Sequence, residues 1–82
     1  MDYERIATEI MFRLKDNIGE FTIDDFYRLA RRDAMPPDLI GELSWAMFHE
    51  FEKAGYIEKT DKTIVSERRC GGVLPVWIAI TE

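Results

Sequence analysis

The sequence predicts an α+β domain in which three helices precede a β-hairpin. Two observations carry that expectation. Apolar residues recur at helical spacing as far as Ala54, then alternate toward Ile80. Gly19, the Pro36–Pro37 pair and Gly55 cut the helical part into three. The length of 82 residues suits one domain, 1–82, with a thin core.

The first helix is expected from about 3 to 17. Tyr3, Ile6, Ala7, Ile10, Met11 and Leu14 share one face, Asp2 can cap its start, and Gly19 suits the left-handed position past its end. Phe12 falls on the opposite face among Arg5, Glu9 and Asp16. The second helix is expected from 23 to 32. Thr22 and Asp25 have capping-box spacing, Phe21 can staple onto Phe26, and Phe26, Leu29 and Ala30 form a short core face. Pro36 disfavours helical geometry at Met35 and ends this segment. Pro37 opens the third helix, expected to reach Ala54, with Ile40, Leu43, Met47, Phe51 and Ala54 as its buried stripe and Gly55 beyond it.

After Gly55 the pattern turns β-like. Tyr56 to Lys59 enters a short strand or turn, and a hairpin is expected over about 63–80 with Cys70-Gly71-Gly72 in its turn. Leu74, Val76, Ile78 and Ile80 read as one buried face, and Pro75 places this strand partly on an edge. The expected core is Ile6, Ile10, Leu14, Phe26, Leu29, Leu43, Met47, Phe51, Val76 and Ile78. Three helices, a short link between the second and third, and a hairpin with a charged tip make the order of a winged helix-turn-helix.

Three motifs extend this. A proline-opened helix leads through Phe48-His-Glu-Phe-Glu-Lys-Ala-Gly55 to Tyr-Ile57, a Ser66-Glu-Arg-Arg69 segment leads to Gly71-Gly72, and the last strand contains Pro75-Val76-Trp77. Over about three quarters of the chain this resembles small winged-helix proteins of bacteriophages and mobile elements. The resemblance implies an accessory or regulatory protein that binds DNA through its helix-turn-helix and wing. The third helix is acidic here, which departs from that pattern.

Composition limits the functional classes. The net charge of −5 sits badly with DNA binding, for which domains are typically basic. The bases are concentrated, however: residues 28–35 hold three arginines against one acid, and residues 62–82 hold three bases against two acids. No apolar run is long enough to span a membrane, the N-terminus does not resemble a signal peptide, and a lone Cys70 fits a reducing cytoplasm. No membrane partner is expected. One histidine, His49, and one cysteine cannot supply a zinc site. No phosphate loop, nucleophile elbow or triad is present, so neither catalysis nor a cofactor is expected.

Two sets of residues are candidates for contact. Arg68 and Arg69 at the wing tip, with Lys62 beside them, can straddle phosphates; equally, they can serve as charges that keep an edge strand soluble. Arg28, Arg31 and Arg32 face away from the second helix's core and can add backbone contacts, unless Arg28 pairs with Asp24 four residues earlier. The outer face of the third helix carries Asp38, Gly41, Glu42, Trp45, Phe48, His49 and Glu52, where carboxylates would repel phosphates. Phe12, Trp45 and Phe48 there and on the first helix are candidate protein contacts, including a homodimer. In the bland alternative, Phe48 tucks under the wing and Trp45 packs on Trp77. The leading expectation is weak, salt-sensitive duplex DNA binding. The alternative is an acidic protein-interaction module, or a DNA mimic, that binds no DNA.

Overall fold

The computed structural model describes residues 2–17, 19–66 and 72–80. Among them the elements run α1 (Tyr3–Asn17), β1 (Glu20–Phe21), α2 (Ile23–Arg32), α3 (Pro37–Lys53), β2 (Ile57–Val65) and β3 (Val73–Ala79). The result is a small α+β fold of three helices and a three-stranded antiparallel sheet ordered β1-β3-β2. All three helices lie where spacing and punctuation put them. The sheet differs from a plain hairpin. β1 pairs Glu20 with Ile78 and Phe21 with Trp77, and β2 starts at Ile57 rather than near 63. A register shift between Lys59 and Thr63 breaks the β2–β3 ladder, which is why alternation does not run smoothly from Ile57.

Local chemistry sets the helix ends. The Asp2 carboxylate accepts from the Arg5 N–H, capping α1. Thr22 and Asp25 form the reciprocal capping box of α2, with the Asp25 carboxylate accepting from the Thr22 N–H at 2.9 Å. Both α2 and α3 end in the same six-residue hydrogen-bond pattern. Met35 N–H donates to Ala30 and Ala34 N–H to Arg31; Tyr56 N–H donates to Phe51 and Gly55 N–H to Glu52. Each motif needs a left-handed residue, and these are Ala34 at φ 59° and Gly55 at φ 83°. Ala54 is therefore the cap of α3 rather than its last buried residue, and it is exposed.

The core lies between the helices and the sheet. Ala7, Ile10, Met11 and Leu14 of α1 meet Phe26, Leu29 and Ala30 of α2, Ile40, Leu43, Phe48 and Phe51 of α3, and Phe21, Ile57 and Trp77 of the sheet. Phe48 sits among three aromatic rings, 5.7 Å from Phe21, 6.3 Å from Phe26 and 5.4 Å from Trp77, all edge-on. This corrects the expected stripe of α3. Its inward face turns toward Ser44 and Phe48, while Met47, like Ile6, is only partly buried. The cause is β1, which brings Phe21 over α3. Phe21 thus packs on Phe48 as a strand residue.

Strand β3 corrects a second expectation. Val76 is buried as expected, together with Leu74, but the strand's contribution to the main core cluster is Trp77, and Ile78 is only half-buried. Val73, Pro75, Trp77 and Ala79 are as apolar as their neighbours, so a period of two cannot choose between the faces. Pro75 occupies the stretch of β3 that pairs with β2 alone, while Trp77 and Ile78 are flanked on both sides. That fits a proline, which has no N–H for a second ladder.

Candidate nucleic-acid and partner surfaces

Of the six cations proposed for phosphate contact, Lys62, Arg28, Arg31 and Arg32 lie among the described residues. Arg68 and Arg69 lie outside the described residues. Lys62 is bound to Glu20 at 3.0 Å, a contact that joins β2 to β1. Arg28 pairs with Asp25 at 2.8 Å, not with Asp24. Asp25 is the better-placed partner because the capping box already fixes its carboxylate. Asp24 instead accepts a 2.8 Å hydrogen bond from the buried hydroxyl of Ser66. That bond ties the residue after β2 to the first turn of α2. Arg31 and Arg32 are exposed, and neither is in an ion pair among the described residues. They lie at the other end of α2, about 10 Å along its axis from Asp24.

A shallow groove runs beside the Lys62–Glu20 contact, lined by Phe21, Thr22, Asp25, Thr63, Ile64 and Val76. Its charged groups, Glu20, Asp25 and Lys62, are already engaged in the capping box and the two ion pairs.

The three aromatic candidates have different fates. Phe48 is 1% exposed and is withdrawn as a contact residue. Phe12 is 43% exposed, but its ring meets Phe51 at 5.3 Å and Tyr56 at 6.4 Å. It is therefore the rim of a small aromatic cluster, not an isolated ring on a polar face. Tyr56 closes that cluster because the α3 termination motif places it over Phe51, 5.5 Å away. Trp45 is 63% exposed. It does not pack on Trp77; its ring lies 4.1 Å from that of His49, the residue one turn later, tilted by 38°.

Trp45 stands in the middle of an exposed stripe. Asp38, Glu42, Trp45, His49 and Glu52 follow one another at steps of four and three residues, and all five are exposed. The stripe carries three carboxylates, and Lys53 is the one lysine of α3. Sequence spacing had grouped Gly41 with this face. Gly41 instead lies against α2, where an added Cβ would come within 3.0 Å of the Tyr27 hydroxyl.

Among the described residues, no three of His, Cys, Asp and Glu stand together as a metal site. No helix among them is long and apolar enough to cross a membrane. Comparison with protein-family models, curated proteins and solved structures finds no match.

Proposed function

We propose that this chain is a winged-helix module that works by binding a protein partner through the outer face of α3. The element order α1-β1-α2-α3-β2-β3, with β3 between the other two strands, supports the winged-helix reading. The observation that carries the interaction reading is Trp45, a large aromatic left 63% exposed in the middle of that face. The surrounding carboxylates disfavour the insertion of this helix into a DNA groove. Replacing Trp45 with the photo-crosslinking residue p-benzoylphenylalanine tests the proposal. Irradiation in the native cell is expected to give a discrete protein adduct, and the same residue at the exposed position of Glu9 on α1 is expected to give none. Absence of an adduct from position 45 overturns the proposal.

Arg31 and Arg32 favour a second reading, because each is exposed and unpaired among the described residues. With Arg68 and Arg69 of the wing they would hold duplex DNA by its phosphates, as expected of an accessory or regulatory protein of a phage or mobile element. Binding of random duplex DNA would then weaken steeply with salt. Alanine at Arg31 and Arg32 together, or at Arg68 and Arg69 together, is expected to flatten the salt slope by up to about two units. A chain that binds no DNA at low salt, or keeps the parent slope in both double variants, rules this reading out.

A further inference from the structure

The α3 stripe also specifies what kind of partner it fits. We infer that its occupant is a basic protein segment that places an arginine guanidinium on Trp45, with Glu42 as the counter-charge. This rests on the protein-binding reading above and names its chemistry.

Three features of the stripe lead to that occupant. Trp45 offers the strongest cation-binding ring among the side chains, and at 63% exposure it is open to a ligand. His49, 4.1 Å away, braces the indole from the next turn, so the ring is held in place before a partner arrives. Glu42 is three residues before Trp45, the spacing of neighbours on a helix surface, and makes no ion pair among the described residues. A guanidinium can lie flat on an indole and still direct its edge N–H groups at a carboxylate. A lysine ammonium is a compact, strongly hydrated charge and does this less well.

The ends of the stripe extend the argument. Asp38 and Glu52 are fourteen residues apart, about 21 Å along the helix, which an extended segment of about six or seven residues spans. Basic residues flanking the central arginine would meet those carboxylates. A phosphate backbone is the wrong sign for this face. A purely apolar partner would strand the three carboxylates.

The test uses the full chain and a fluorescein-labelled peptide of alternating arginine and glycine, about eight residues long. Its lysine counterpart and random duplex DNA serve as comparisons. The arginine peptide is expected to bind more tightly than the lysine peptide. Trp45→Ala is expected to weaken arginine-peptide binding about tenfold, and Glu42→Gln about threefold. Glu58→Gln, an exposed carboxylate on β2, is expected to leave binding unchanged and so controls for net charge. Because Trp45 and Glu42 are exposed, these variants should keep the parent circular dichroism and melting transition. The inference is overturned if the arginine peptide does not bind, if Trp45→Ala leaves its affinity unchanged, or if Glu58→Gln weakens it as much as Glu42→Gln. It is also overturned if the wild-type chain self-associates and both Trp45→Ala and Arg31→Ala/Arg32→Ala abolish this, since the occupant is then a second copy. Failure of the peptide alongside a protein adduct from position 45 refutes the arginine chemistry alone. Failure of both removes the interaction reading as well.

Discussion

Phe48 and Trp45 stand three residues apart on one helix, and their fates could hardly differ more. Phe48 has 1% of its surface exposed and Trp45 has 63%. The difference comes from neighbours that are remote in sequence: Phe21, Phe26 and Trp77 close around Phe48, while Trp45 meets only His49 among the ring contacts. Truncating Phe48 leaves a cavity bounded by α2, α3, β1 and β3. Phe48→Ala is therefore expected to destabilise the fold by about 3–5 kcal/mol, a large part of the total for so small a domain. Urea denaturation should show a much lower midpoint at a similar m value, or a chain already unfolded in buffer. A loss below about 1 kcal/mol would mean that the aromatic cluster is not the centre of the core. The same logic of neighbours explains Arg28. Helical spacing makes Asp24 and Asp25 both available to it; the capping box decides for Asp25, and Ser66 takes Asp24.

At the scale of elements, α2 and α3 end in one motif with different residues at its left-handed position. Gly55 meets that demand without steric cost, whereas Ala34 adopts φ 59° with its Cβ crowded against the following backbone. The two motifs form a matched experiment. Ala34→Gly is expected to stabilise the fold by about 0.5–1 kcal/mol, after allowing for the entropy that glycine adds to the unfolded chain. Gly55→Ala is expected to destabilise it by about 1 kcal/mol. Thermal melts of the two variants beside the parent chain check both signs; a fall in Tm for Ala34→Gly would show that Ala34 is not strained. The ends of these helices were legible because capping is local. Thr22 and Asp25, Pro37 and Gly55 act on backbone groups within one turn. The role of Ala34 was not legible. Nothing in an alanine announces a positive φ, and Pro36 accounted for the end of α2 without it.

Across the whole molecule, one short element reorganises the rest. β1 is only Glu20 and Phe21, too short to register as a period in the sequence. Yet it makes β3 the central strand, carries Phe21 onto Phe48, and positions Glu20 to take up Lys62. With Lys62 on Glu20 and Arg28 on Asp25, Arg31 and Arg32 are the candidate cations outside any ion pair among the described residues, and the acidic face of α3 becomes the more distinctive feature. The sequence by itself determined what depends on neighbours along the chain: three helices, their caps, the switch to β structure after Gly55 and the local charge balance. Tertiary structure alone decided how β3 meets the core, where Phe48 points its ring, that Trp45 stays exposed, and that Lys62 is taken up by Glu20. Those choices depend on pairings between residues such as Phe21 and Trp77 or Glu20 and Lys62. Such pairs are far apart in the chain, and no local period or propensity encodes their meeting.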